Sequence, residues 1–518
     1  MNMSKVTGKK TSRYFLFLLF LLFAVFLAVV FRLYQRIGVF GCGDECINYT
    51  AGYFILLGKS LYSQIFFNHQ PTLAFISTFI QWVSQPKDLY HLVLYHRVFM
   101  ILYSFGMAVF LIWRFRLRAM LFLLLYEGTK YYMYGYQFIG EALIVYPLVY
   151  LIGVLWESFE FKRVSRVDIF LTAIFTSLVI WTREPYVPVA VVLGGMLLWR
   201  EKSNRYARWA SVLIIFLLLA PFIVIPFGEY VYQVIVINIP AASSVVGGGN
   251  RISSILYSLL YPILLFFHGK WSYLRLIEIG IASFFWVSLV IWWRGTKKYT
   301  PIGILLLILG LAGIRTVAPG TMYFEAFHML PWYALFVMVT VLIMTSIKEK
   351  KIQSILVGAF VIFFCWAFAS PQSFIWENVD TRGEFPSQYS QYTQYSQAIQ
   401  IAIKPSQTLF LDVWDDIIYW EAKRTSSYPL SIYIPAESSI PRYQEMRSAM
   451  FLESPPDAYY SCPVAQTLTN SPPQVVKQDY VQLSSIGKPS CLYIKKVIAK
   501  ALTPDQWQRL HDLGFSQL

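Results

Sequence analysis

Asp44 and Glu45 stand side by side in "GCGDECINY" (Gly41–Tyr49), between Cys42 and Cys46 and shortly after a long apolar run. Acids at the mouth of a membrane span are costly to desolvate and are usually kept for a task. A carboxylate there could take a proton from an attacking hydroxyl, the work of a general base. The plainer alternative is that the pair only marks a helix end. Adjacent side chains on a helix point about 100° apart, so only one of the two can face a reacting centre directly. Cys42 and Cys46 offer two zinc ligands, but a structural zinc site wants four and no nearby Cys or His pair completes one. No metal is expected.

The stretch behind the acids has to position them. "CINYTAGYFILLGKSLYSQIFFNHQPTLAFISTFIQW" shows helical apolar spacing at Ile47, Tyr49, Phe54 and Leu57, then a Gly58–Lys59 stop. Asn68, His69, Gln70 and Pro71 precede a second amphipathic run. The pattern predicts one or two helices lying in a membrane interface beside the acids.

The rest of the chain is membrane-like. Of 518 residues, 57% are hydrophobic and only 14% charged, well below the charge of an ordinary soluble domain. Runs of roughly twenty apolar residues, enough to span a bilayer, recur from Tyr14–Phe31 onward. That first run is too long for a signal-peptide core and lacks a small-residue cleavage site behind it, so it reads as an uncleaved anchor. The net charge of +15 does not point to nucleic acid, because its clusters punctuate the spans. They are "KVTGKKTSR" at the start, "RFRLR" (114–118), "KRVSR" (162–166), "REKSNRYAR" (200–208), "RGTKK" (294–298) and "KEKK" (348–351). Two apolar stretches fit between successive clusters, which puts all six on one side, the cytoplasmic side by the positive-inside rule.

The expected architecture is an α-helical polytopic membrane protein of about eleven transmembrane helices over residues 1–370, with an outer first loop at 38–91. Residues 371–518 lack a spanning run and are expected to form an extracytoplasmic α/β domain. There "TLFLDVW", "LSIYIP" and "SCLYIKK" read as strands and "DDIIYWEAK" as a short helix. "SQYSQYTQYSQ" (Ser387–Gln397) reads as a linker or surface helix. Cys462 and Cys491 either pair or stand as buried thiols; Cys365 falls inside a span and reads as packing.

Several motifs together resemble one family. "GDE", "LLGKSLYSQIFFNHQPT" and "HRVFMILYSFGMAVFLIWRF" look like the opening of GT-C-fold glycosyltransferases that use polyprenyl-phosphate sugars. That group includes protein mannosyltransferases and the lipid A aminoarabinose transferase. "QFIGEALIVYPLVYLIGVL", "LVIWTREPYVPVAVVLGGML", "GTMYFEAFHMLPWYALFVM" and "LFLDVWDDIIYWEAKRTSSYPLSIYIP" are similar to later segments of the family, in the same order. The resemblance implies sugar transfer from a dolichyl- or undecaprenyl-phosphate donor to a protein, lipid or glycan hydroxyl outside the membrane, with Asp44 as base and Glu45 in support.

It further implies cations for the leaving phosphate: Arg97, then Arg183 in "TREP" where the family usually has Lys, with Arg251 and Lys270 as looser candidates. Headgroup snorkelling is the alternative for each. His69 fits a phosphate contact or an ordinary interfacial histidine. Glu141 aligns with a second outer acid of the family or pairs with Lys130. Glu325 and His328 could line the outer cavity. Two departures are plain: Gln64 stands where many relatives carry Asp, which weakens any metal contact there, and Asp415 stands where glycine is common. No cofactor is certain beyond the lipid-linked donor; a divalent metal stays open without support from the sequence.

A transporter of a lipid-linked or small anionic substrate is the alternative of another class. It predicts internal repeats and helices broken at matching positions in two halves. No such symmetry is legible, and the charges cluster at one face. A receptor with an outer sensor domain would need neither the many spans nor the acid loop.

Overall fold

The structure, a computed structural model, describes residues 9–39, 41–161, 164–238, 251–267, 271–297, 299–314, 326–378, 380–414, 416–433, 440–462, 473–485 and 488–517. The chain is a helical membrane protein. Among the described residues, six helices are long and apolar enough to cross a bilayer: Leu89–Phe115, Gly140–Glu160, Arg205–Ile223, Tyr273–Thr296, Phe327–Thr345 and Lys350–Ala369. Shorter apolar helices include Phe23–Gln35, Thr72–Ser84 and Thr300–Ala312.

Residue contacts divide the chain into two units. The first comprises Met1–Ile37, Arg97–Ala220 and Ser243–Val379; the second comprises Gly38–His96, Pro221–Ala242 and Asp380–Leu518.

In the first unit, Gly140–Glu160 and Phe327–Thr345 are enclosed by protein, whereas Arg205–Ile223 and Lys350–Ala369 expose most of their apolar surface. Trp209, Phe216, Ile355 and Ile362 are among the side chains left open, a surface suited to lipid. Without a hydrophobic force between helices in lipid, close packing of small residues holds them. Ala173 packs with Ala207 and Ala210 in one such seam. Gly194 serves another, since a Cβ there would stand 2.4 Å from Thr176 Oγ1.

The enclosed helix Gly140–Phe161 has a polar belt at each end. At its C-terminal end Arg114 binds Asp168 at 2.7 Å and Glu157 at 2.7 Å. Arg118 binds Glu160 at 2.8 Å and donates to Thr345 and Ser346. Arg200 donates to the Ser158 carbonyl at 2.9 Å. Ser165 caps the next helix, Arg166–Thr182, in a reciprocal box with Asp168. Arg114, Arg118, Arg200 and the Thr345–Ser346 turn therefore gather around one end. At the other end stand Glu141, Arg183 and His328. Seventeen residues separate Glu141 from Ser158, or about 26 Å at 1.5 Å per residue, close to the hydrocarbon thickness of a bilayer.

The second unit is built on a six-stranded mixed sheet with strand order β2-β1-β3-β5-β4-β6. The strands are β1 Thr408–Leu411, β2 Thr425–Ser426, β3 Ala458–Tyr460, β4 Tyr480–Ser485, β5 Lys488–Lys495 and β6 Phe515–Gln517. β1 runs parallel to both β2 and β3, and the β3–β5, β4–β5 and β4–β6 pairs are antiparallel. "DDIIYWEAK" forms the helix Ile417–Ala422.

One strand reading from the sequence is overturned by the structure. Leu430–Tyr433 is not a strand, because its backbone and side chains serve a loop instead. The Leu430 carbonyl accepts from Phe66 N–H, Ser431 Oγ donates to the Gln64 carbonyl at 2.8 Å, and Ser431 takes the left-handed φ of 64°. Of the two readings of "SQYSQYTQYSQ", linker or surface helix, the structure has the helix: the segment is part of Thr381–Ala402. It buries Tyr389 and Tyr395, the latter against Tyr460 and Phe515.

The 38–91 loop supplies two helices to this unit, Asp44–Leu56 and Thr72–Ser84. Gly52 lets them meet, since a Cβ there would lie 2.7 Å from Ser77 Oγ and 2.9 Å from the Thr78 backbone N. Gln81 ties the pair together, donating to the Tyr49 carbonyl at 2.8 Å and accepting from Trp420 Nε1 at 2.9 Å. The outer face of Thr72–Ser84 leaves Phe75, Phe79, Trp82 and Val83 exposed, an amphipathic pattern suited to a membrane surface. Cys42 pairs with Cys46, and Cys462 with Cys491. The zinc reading of Cys42 and Cys46 is thereby replaced, because each sulfur is spent on the other. Cys365 is free and exposed, so it faces out of its helix and does not pack inside it.

Candidate functional site

Asp44 opens the helix Asp44–Leu56, with Glu45 beside it in the first turn. A first helical turn favours negative charge by about 0.3–1 kcal/mol, because its backbone N–H groups lack partners within the helix. Gly43 makes the entry possible with φ 41° and ψ −127°, a conformation that side-chain-bearing residues avoid. The two acids differ sharply in environment: Asp44 is half-buried and Glu45 wholly buried. The exposure needed to meet a substrate belongs to Asp44.

One turn on, Asn48 shares the Asp44 face of the helix. Its Nδ2 donates to the Asp44 carbonyl at 3.1 Å. Its Oδ1 is buried and, among the described residues, has no hydrogen-bond partner. Sequence reading passed over Asn48; the i, i+4 spacing from Asp44 was the available signal.

The loop that follows is tightly held. Buried Gln233 donates to the Tyr62 carbonyl and accepts from Phe67 N–H at 3.0 Å. Tyr230 donates to Gln70 Oε1 at 3.0 Å. His69 is half-buried, with its carbonyl accepting from Tyr62 at 2.8 Å and its ring edge-on to Phe67. Gln64 is exposed, and its Oε1 accepts from Ser60 N–H at 3.0 Å, so it closes its own turn. Lys59 donates to Ser431 Oγ at 2.6 Å, and burial pushes its ammonium pKa down.

The first unit holds the other candidates. Helix Arg166–Thr182 stops at Arg183, whose extended φ of −152° leads into Glu184 and Pro185. Pro188 sits in the first turn of the next helix, Val187–Arg200, so "TREP" turns a helical hairpin. Arg183 Nε donates to Glu141 Oε1 at 2.8 Å, and His328 Nδ1 lies 2.8 Å from the same oxygen. Tyr186 donates to the His328 carbonyl at 2.7 Å. All three charged or titratable side chains are more than nine-tenths buried. Gly140 admits this arrangement, since a Cβ there would crowd Arg183 Cδ at 3.2 Å.

Glu141 thus pairs with Arg183 and not with Lys130. Lys130 is held by Glu127 at 2.6 Å, with Ser104 and Tyr146 as further partners. Arg97 is fully buried, donates to the Ile37 carbonyl and lies over the Tyr136 ring. Full burial replaces the headgroup-snorkelling alternative for Arg97 and Arg183, because a snorkelling guanidinium ends in water. Arg251 opens the helix Arg251–Leu264, but its side chain lies outside the described residues, as do Lys270, Glu325 and Asp415.

The structure therefore brings Glu141, Arg183 and His328 into one cluster. Arg97 lies in the same unit, and Asp44, Glu45 and His69 belong to the other. No family model, curated protein or solved structure matches this chain at a significant level.

Proposed function

We propose that this protein is an integral-membrane glycosyltransferase of GT-C type, moving a sugar from a polyprenyl-phosphate donor to a hydroxyl acceptor on the extracytoplasmic side. The observation that carries the reading is the acid pair: a half-open Asp44 on a helix first turn, backed by a wholly buried Glu45. In the proposed step the acceptor O–H gives its proton to Asp44 as its oxygen bonds to the anomeric carbon. The bond from that carbon to the phosphate oxygen breaks, and its electron pair leaves with the lipid phosphate. Arg97 and Arg183 are proposed phosphate-binding cations, Arg183 being held by Glu141.

The orientation has two supports. Positive charge gathers at the Arg114–Arg118 end of the first unit, which the positive-inside rule assigns to the cytoplasm. Both disulfides lie in the second unit, and disulfides persist in oxidising, extracytoplasmic compartments. With about eleven spans in all, the N-terminus lies inside and the sheet outside.

The test is transfer from a panel of radiolabelled polyprenyl-phosphate sugars in membrane fractions. Removing a general base costs about 10² to 10⁴ in rate, so Asp44→Asn should lose that much while keeping protein level and donor binding. Glu45→Gln should lose less. Full activity in both variants would reduce the pair to a helix-end marker and end the proposal.

A further inference from the structure

The sheet of the second unit carries a feature that the transfer reaction does not use. Strands β2, β1 and β3 are parallel neighbours. The chain leaves the C-terminal end of β1 toward β2 on one side. It leaves the C-terminal end of β3 toward β4, which lies beyond β5 on the other side. Ligands of open parallel sheets bind at strand ends where the connections part in this way.

The residues gathered there are unusual. Asp412 follows β1 directly, and its N–H donates to the Tyr460 carbonyl at the end of β3. Arg447, on the helix Pro441–Glu453, and the Tyr459 hydroxyl both donate to the same carboxylate oxygen, Asp412 Oδ2. Asp412 Oδ1 and Arg447 Nε are left over. Both atoms are buried and, among the described residues, neither has a hydrogen-bond partner. A structural ion pair would use both edges of the fork; this one leaves a donor and an acceptor idle. Trp414, two residues from Asp412, is 55% exposed.

We propose that the C-terminal ends of β1 and β3 form a carbohydrate-binding site, with Asp412 Oδ1 accepting from one sugar hydroxyl, Arg447 Nε donating to its neighbour, and Trp414 stacking on the C–H face of the ring. The idle pair selects the ligand class. A phosphate would suit Arg447 but meet the Asp412 charge, and an ammonium would suit Asp412 but meet Arg447. A neutral polyol satisfies both, because each hydroxyl both donates and accepts. A primary amide would satisfy the pair as well, but it offers no broad apolar face to an exposed indole. Access runs along Arg447, whose side chain is 14% exposed against 1% for Asp412. The site is a binding site in its own right and does not depend on the transfer reaction.

The experiment uses the full chain in lipid nanodiscs. The probes are methyl glycosides of glucose, galactose, mannose and N-acetylglucosamine and their 1,4-linked disaccharides, read by saturation-transfer NMR. N-acetylasparagine amide serves as the amide control. At least one glycoside should bind, and Trp414→Ala, an exposed change that does not threaten folding, should weaken it at least tenfold. Asp412→Asn should weaken it similarly, with thermal unfolding measured alongside to confirm that the sheet remains folded. Because neither Trp414 nor Asp412 belongs to the proposed transfer machinery, their loss of binding is read apart from that reaction. No glycoside binding above empty nanodiscs would overturn the proposal. So would preference for the amide control. Wild-type binding by Trp414→Ala would do the same, whether or not that change weakened membrane association and so marked Trp414 as an interface anchor.

Discussion

Glu141→Gln isolates the buried cluster of the first unit. Glu141 Oε1 accepts from Arg183 Nε and from His328 Nδ1, each at 2.8 Å, and the Glu141 and Arg183 side chains are 1% and 5% exposed. Glutamine keeps the shape and loses the charge, leaving the Arg183 guanidinium buried opposite a neutral amide. Breaking a buried pair from one side costs about 3–5 kcal/mol, because the remaining charge keeps its desolvation penalty. At roughly 2–4 °C per kcal/mol for domains of a few hundred residues, unfolding should fall by about 6–20 °C, followed in nanodiscs by tryptophan fluorescence. The double variant Glu141→Met/Arg183→Met removes both charges and should recover most of that loss, since replacing a whole buried pair by apolar side chains is often neutral. It should still lack sugar transfer, because the proposed phosphate cation is gone. A single variant within about 0.5 kcal/mol of wild type, the range of ordinary surface changes, would refute the argument. So would a double variant as unstable as the sum of its singles.

Gly43→Ala should cost about 1–3 kcal/mol from backbone strain alone, since φ is 41° and nothing lies within 4 Å of a Cβ there; the proposed transfer should fall with thermal stability, and an unchanged variant would mean the entry to the Asp44 helix relaxes freely. Reducing Cys462–Cys491, 29 residues apart in sequence, should destabilise the sheet by about 3–4 kcal/mol from loop closure, visible as a lower unfolding temperature with dithiothreitol that Cys462→Ala/Cys491→Ala reproduces and reductant no longer changes. Burial pushes the Lys423 ammonium down to about 8, against the opposing pull of Glu421, with its Nζ 3.2 Å from the Trp420 ring centroid. The folded state thus prefers the neutral amine, so this residue's contribution to stability should rise as pH climbs from about 8 toward 10.5. Lys423→Met should flatten that rise, and a profile unchanged by the substitution would show that the amine is fully hydrated.

The parts of the fold that were legible in the sequence are those fixed by neighbours in the chain. The Gly58–Lys59 stop is real because Gly58 takes φ 85° and the helix ends at Leu56. At "TREP" the helix ends at Arg183, which is extended at φ −152°, and Glu184–Tyr186 forms a short 3-10 turn before the next helix. "LSIYIP" misled because alternation describes a side-chain pattern, whereas a strand needs free backbone groups: the Leu430 carbonyl is committed to Phe66 N–H and the Ser431 N–H to the Tyr428 carbonyl. The cysteine pairings were undecidable from spacing, because Cys462 and Cys491 meet only through β3 and β5.

The partner of Glu141 is the more instructive case. Lys130 looked available because it is the nearest cation in the chain, but Glu127 stands three residues before it. Three residues apart, around the end of one helix, the two side chains are already within reach. That local pair forms at 2.6 Å with no loop to close, whereas any partner for Glu141 must be brought in by tertiary packing. Once Lys130 is spoken for, Glu141 has to find its charge across the bundle, and it does so in Arg183, forty-two positions along the chain. Counting i, i+3 pairs before assigning long-range ones would have removed Lys130 from the candidates. It would also have pointed to Arg183, the cation the hairpin turn sets at the end of its helix.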